Sequence, residues 1–233
     1  MAAPERAGVH GEDLTEVAGD RVFPSSWKPL MAEAWDLARA TIDFCGVLGL
    51  LLGLMIGFEL ATQLPSQTDL TTALVRATLF GKLGTVLVSL VLGLRVMTDQ
   101  NWLRERWQQL EVLGHPMLVH MAALAWAAVC VLFFFYFAAL LGYAFGIELA
   151  PTGNALDALD RLAVNYPLTD LPRNAARVVA EGAALGWIHH FDAELMARAD
   201  EHLSRSATRK AIAILLAVSA IEALDSYLYW IVF

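Results

Sequence analysis

Long apolar runs alternate with polar segments along this chain, and their lengths set the first expectation. One run reaches from about Phe44 to Gln63, the next from about Thr71 to Val96, a third from Met117 to Ile147 and the last from Ala211 to Phe233. A membrane-crossing helix takes about 20 apolar residues, and each run meets that length. A weaker segment over 174–197 carries Arg177, Glu181, His189, His190, Asp192 and Glu194 around an apolar stretch from Val178 to Phe191. It is too short to cross unaided and needs shelter from neighbouring helices or a water-filled cavity. Ahead of the first run, Trp27, Leu30, Met31, Ala34, Trp35, Leu37 and Ala38 recur at helical spacing, with Lys28, Glu33, Asp36 and Arg39 elsewhere. This predicts an amphipathic helix over 26–42, either lying in the membrane interface or packing on a partner as a soluble helix. The expected fold class is an all-α integral membrane protein, with an N-terminal interfacial amphipathic helix plus five transmembrane helices. The spans are placed at about 44–63, 71–96, 117–147, 174–197 and 211–233.

One polar interruption between two strong runs covers Arg95 to Pro116. Leu103, Trp107, Leu110 and Leu113 share one helical stripe, while Arg104, Glu105, Gln108 and Glu111 occupy the other sides. Gly114 and Pro116 are a stop signal. The pattern predicts a short amphipathic helix over 101–114 at the membrane face. It reads as a handle for a soluble partner or as an ordinary interfacial loop helix. Lysine and arginine decide the side. Arg21, Lys28, Arg39, Arg95, Arg104, Arg106, Arg198, Arg205, Arg209 and Lys210 fall in one set of connecting segments, and the opposite set holds Arg161 and Arg173. The positive-inside rule then puts the N-terminus and the 101–114 segment in the cytoplasm and the C-terminus outside.

Composition agrees with a lipid environment: of 233 residues 58% are hydrophobic and 17% charged, with a mean hydropathy of +0.53. The net charge of −8 gives no case for nucleic acid. Residues 1–25, rich in Gly, Pro and acids, are expected to form a flexible tail, with no cleavable signal peptide. Cys45 and Cys130 sit inside apolar runs and read as small core residues rather than a disulfide or metal pair.

Particular positions draw attention inside the runs. Gly49, Gly53 and Gly57 recur every fourth residue and form a ridge that lets another helix approach closely. Lys82 lies well inside the second run, where an ammonium faces protein or water, or snorkels to the outer interface. His189, His190, Asp192 and Glu194 invite a metal reading, but a single helix aims two of them at most at one point. No metal and no cofactor is therefore expected. There is no nucleophile–base pattern, phosphate loop or Walker motif, so any ATP is hydrolysed by another chain.

Four stretches, in order, resemble the MlaE/YrbE permease family. They are Gly53-Leu-Met-Ile-Gly-Phe-Glu-Leu-Ala-Thr-Gln63; Gly81-Lys-Leu-Gly-Thr-Val-Leu with Gly93-Leu-Arg-Val; Gln109-Leu-Glu-Val-Leu-Gly-His-Pro116; and Ala207-Thr-Arg-Lys-Ala-Ile212 with Asp225 beyond it. The resemblance covers about residues 26–233. It implies a subunit of a bacterial inner-membrane ABC transporter that moves phospholipid or related lipids between membranes. The implied partners are a cytoplasmic ATPase, a second permease subunit and a periplasmic MCE-domain protein. The chain itself is then not an enzyme. The ATPase would grip Trp102, Leu103, Arg106, Trp107, Leu110, Glu111 and Leu113, and Glu59, Lys82 and Asp225 would lie along the lipid path. The chain departs from the family where Gly81-Lys-Leu-Gly-Thr85 replaces the usual Arg-Glu-Leu-Gly-Pro, a base for an acid at Lys82. Two alternatives stay open: a non-transporting scaffold that pairs with a typical permease, and a membrane enzyme using His189, His190 and Asp192.

Overall fold

The structure, a computed structural model, describes residues 27–63, 68–98, 115–151, 153–165, 170–198 and 203–232. Every regular element among them is an α-helix. In chain order these are α1 (Trp27–Gln63), α2 (Thr68–Thr78), α3 (Lys82–Thr98), α4 (Pro116–Glu148), α5 (Ala155–Asn165), α6 (Asp170–Arg198) and α7 (Leu203–Val232). Four stretches are long and apolar enough to cross a membrane: Leu30–Gln63, Thr72–Thr98, Pro116–Glu148 and Ala207–Leu228. The chain is therefore built as a multi-pass helical membrane protein. The tail over 1–25 and the 101–114 segment lie outside the described residues.

Helix α4 is the post around which the others stand. Pro116 opens it, where a missing N–H costs nothing, after His115 in extended backbone. Its buried residues Val119, Ala123, Ala127, Val131, Phe135, Ala139, Gly142 and Gly146 include many small ones. Small residues let backbones meet, and in lipid that close packing replaces the hydrophobic effect as the force between helices. The α1 ridge lies against this post. A methyl at Gly49 would stand 2.7 Å from Phe135 O, and methyls at Gly53 and Gly57 would overlap the backbone of Ala139 and Tyr143. The fit is reciprocal, since Gly142 and Gly146 meet the backbone of Leu50 and Leu54. Rising numbers pair with rising numbers, so α1 and α4 run parallel along this seam.

Helix directions alternate elsewhere. Gly182 and Gly186 of α6 sit against Leu124–Ala125 and His120–Met121 of α4, an antiparallel register. Ser89 meets Glu181 and Gly93 meets Leu185, so α3 and α6 are parallel. Arg173 of α6 reaches Asp225 of α7 and Arg177, one turn on, also reaches Glu222, so that pair is antiparallel.

Two differences from the sequence expectation have clear causes. The first concerns residues 26–42, expected as a separate interfacial helix: from Trp27 they are continuous with the first run as α1. The sequence offers no glycine or proline between Pro29 and Gly46 to break it. Leu30, Ala34, Leu37 and Ala38 of its stripe are buried against protein, whereas Met31 and Trp35 are exposed. The second concerns the run at 71–96, expected as one span, which is interrupted at Leu79–Gly81, between α2 and α3. Gly81 is the only breaker there, and partners from other helices stabilise the interruption. Between α4 and α6, a stretch expected to be loop with one helical turn holds α5. Its start is capped by Asn154 Oδ1, which accepts the Asp157 N–H at 3.2 Å.

Candidate functional site: a charged cavity at a helix break

Ending a helix inside an apolar bundle strands carbonyl groups, and each one left bare is costly. At the α2–α3 break the Phe80 carbonyl is satisfied from two other helices. The Tyr136 hydroxyl of α4 donates to it at 3.1 Å, and the Asn174 side-chain amide of α6 donates as well. Phe80 also packs its ring on Tyr136, with centroids 5.4 Å apart. The break is thus tied into α4 and α6.

A cavity of about 460 Å³ opens beside this break. Its charged walls are Arg76, Lys82, Asp170, Arg173 and Arg177, with Asn174 and Ser226 supplying neutral polar groups. The α6 sequence places them. Asp170, Arg173, Asn174, Arg177 and Glu181 follow at steps of three, one, three and four, which is one face of a helix. That face turns toward α3 and α7, and Gly182 and Gly186 press the other face onto α4. The shelter that this weak segment needs is therefore provided from both sides.

The ion pairs have unequal roles. Asp225 receives a forked contact from Arg173, with Nε at 2.9 Å from Oδ1 and Nη2 at 2.8 Å from Oδ2. Arg177 Nη2 reaches the same Asp225 Oδ2 at 2.6 Å, and its Nε lies 3.6 Å from Glu222 Oε1. The Arg177 side chain is only 4% exposed and that of Asp225 19%, so this pair is nearly dry, while Arg173 at 31% reaches the cavity. Forked arginine–carboxylate geometry is what makes such burial tolerable. Arg76 pairs with Asp170 at 2.6 Å in a wetter position. One turn deeper than Arg177, Glu181 is fully buried and accepts the Ser89 hydroxyl at 2.5 Å. Thr85 Oγ1 lies 3.1 Å from Glu222 Oε1.

Lys82 differs from the arginines. It donates to the Ser226 hydroxyl, and no carboxylate pairs with it among the described residues. Of the expected lipid-path residues, the fold brings Lys82 and Asp225 to one site, on adjacent turns of facing helices. It does not bring Glu59 there; that carboxylate is exposed near the end of α1 and accepts from Gln63. The residues expected to meet an ATPase, Trp102, Leu103, Arg106, Trp107, Leu110, Glu111 and Leu113, lie outside the described residues.

The histidines form a second cluster at the other end of α6. His120 of α4 stands between His189 and His190, with ring centroids 5.9 and 5.5 Å away. His120 and His189 are buried. The side chain of Asp192 is outside the described residues. Among the described residues no group of three or more His, Cys, Asp or Glu side chains has an arrangement that could hold a metal ion.

Arg76, Asp170, Arg173, Asn174 and Glu222 are site residues that the sequence reading left unassigned. The three-and-four spacing along 170–181, matched by Glu222 and Asp225 on the last span, was the available signal. No protein-family model matches the chain, and no curated protein matches it either. Fold and site together define a multi-pass helical membrane protein with a charged cavity at a broken span.

Proposed function

We propose that the chain is the permease subunit of an ABC-type lipid transporter of the MlaE/YrbE kind in a bacterial inner membrane. One observation carries this reading: a charged cavity beside a broken span, inside a largely apolar bundle. Interrupted helices whose ends face a cavity are how many membrane transporters build a substrate site. A lipid substrate needs a polar pocket for its head beside apolar surface for its tails. Apolar side chains share the cavity wall with the charges, namely Ala73, Ala77 and Phe80. The order of the four family-like stretches supports the same reading.

In this proposal the polypeptide crosses five times, with α6 as the sheltered fourth crossing. Its start lies in the cytoplasm and its end in the periplasm. The first part of α1, residues 27–42, meets the lipid headgroups, and the segment at 101–114 docks a cytoplasmic ATPase. A second permease subunit completes the membrane unit, and an MCE-domain protein receives or delivers lipid on the periplasmic side. The chain performs no bond chemistry of its own. It transmits ATPase motion into opening and closing of the cavity.

Co-purification tests the proposal. A specific ATPase subunit is expected to accompany the full chain from native membranes. The paired substitutions Leu103→Asp and Trp107→Asp are expected to release it while the bundle stays folded. Absence of any ATPase, or retention in the double variant, would overturn the coupling role. A cysteine at position 102 is expected to react with impermeant reagents only from the cytoplasmic side. Labelling from the opposite side alone would invert the topology and remove the ATPase from reach.

A further inference from the structure

The charges around the cavity do not cancel. Arg76, Lys82, Arg173 and Arg177 supply four cations to its wall. Asp170 balances Arg76, and Asp225 with Glu222 balances the two α6 arginines. Among the described residues Lys82 has only the Ser226 hydroxyl. An ammonium within a span is costly unless an opposite charge joins it. Two further features carry the same sign. Lys82 is the first residue of α3, whose first turn holds no acid, so the positive end of that helix lies here. Arg177, nearly dry, has no hydrogen-bond partner at Nη1.

Glu181, one turn deeper, is tied to Ser89 and lies outside the cavity wall; among the charges at the wall and their ion-pair partners, the balance leaves room for one negative charge. The cavity wall also holds Ala73, Ala77 and Phe80, and this apolar lining beside the cations suits a ligand with a tail rather than a free ion. We infer that the cavity selects amphiphiles whose headgroup carries a single net negative charge, a phosphodiester or a carboxylate, and that Lys82 is the residue that sets this choice. The inference deepens the lipid-transport reading and names its substrate class. A zwitterionic head brings its own cation toward Arg76, Arg173 and Arg177. Like charges brought together in a site of low dielectric oppose binding, so a zwitterion is disfavoured. The three arginines are held in place by their acids; Lys82 is the one free to meet the ligand.

Lipid retention by the purified full chain tests this. The protein is exchanged into micelles containing equal amounts of phosphatidylglycerol and phosphatidylcholine, and bound lipid is read by native mass spectrometry. Phosphatidylglycerol is expected to be retained about tenfold over phosphatidylcholine, the ratio that a modest difference in binding free energy produces. Lys82→Gln is expected to remove the preference and Lys82→Arg to keep it. Lys82 is exposed, so neither variant endangers folding, and a parallel melting curve confirms that. Equal retention of the two lipids overturns the inference, as does a preference that survives Lys82→Gln. Inorganic phosphate is titrated in a separate arm. Binding of phosphate as tight as that of the lipid would make this a site for free anions and overturn the headgroup assignment. The two readings fail separately. A co-purifying ATPase with no headgroup preference sinks only this inference. A preference in a protein that never carries an ATPase sinks only the transport reading.

Discussion

The α1–α4 seam and the α3–α6–α7 seam solve the same problem by opposite means. The first brings glycines against backbone, with Gly49, Gly53 and Gly57 on one helix and Gly142 and Gly146 on the other. It carries no ion pair among the described residues. The second is held by Arg173, Arg177, Glu222 and Asp225 and leaves a cavity beside a broken span. Backbone-to-backbone packing has one good arrangement, because any shift brings atoms into overlap. The partly exposed members of the second seam, Arg76 and Arg173, can exchange partners at lower cost than the buried Arg177. The contrast assigns stiffness to one side of α4 and adjustability to the other, which is the division of labour the proposed transport cavity would require.

The largest effect expected from breaking this contrast is at Asp225. Asp225→Ala leaves Arg177 buried with its closest partner gone. Removing one member of a buried pair costs on the order of 3–5 kcal/mol. The variant is expected to express poorly and to unfold early in a denaturant titration in micelles. Replacing Asp225, Arg173 and Arg177 by leucine together with Glu222 by glutamine is expected to restore much of that stability, since the Arg177–Glu222 contact is then removed on both sides and no charge of this network stays unpaired. If Asp225→Ala is as stable as the parent, the polar seam does not hold the bundle and the contrast fails on that side.

How much of each seam was legible in the sequence follows from its physics. The glycine ridge declares itself by spacing alone, because only glycine permits the approach and the period of four fixes the face. Its partner carries the same signal, since Gly142 and Gly146 are also four apart, but that spacing does not say which ridge meets which. The charged cavity was half legible. Lys82 and Asp225 stood out as isolated charges in apolar runs, and the weak fourth segment was marked as needing shelter. Their meeting depends on helix register across the fold, which a single chain does not display. Arg173 was counted with an extramembrane segment, although it begins the inward face of α6. The break at Leu79–Gly81 was hidden because its stabilisers, Tyr136 and Asn174, lie far away along the chain. Glu59 resembled Lys82 in sequence context, yet it lies at an exposed helix end.

The next effect in size is Gly53→Ala. The added methyl would meet the Ala139 backbone, which cannot rotate away as a side chain would. Overpacking of this kind costs about 1–3 kcal/mol. The variant is expected to lose stability by that amount and to leave the headgroup preference at Lys82 unchanged, since the two seams share no residue. A shift in lipid preference would show that the seams are coupled through α4.

The smallest effect sharpens the comparison most, because it applies the same chemical change to the same helix. Gly46 lies one turn before the ridge, and a methyl there meets nothing within 4 Å. Without a steric term, only backbone entropy and helix propensity remain. They favour alanine over glycine in a helix by about 0.5–1 kcal/mol. Gly46→Ala is therefore expected to raise stability slightly while Gly53→Ala lowers it, in one titration series. Opposite signs from identical substitutions seven residues apart would locate the seam to within a helical turn. Equal signs would mean that α1 does not lie on α4 in the register its glycines define.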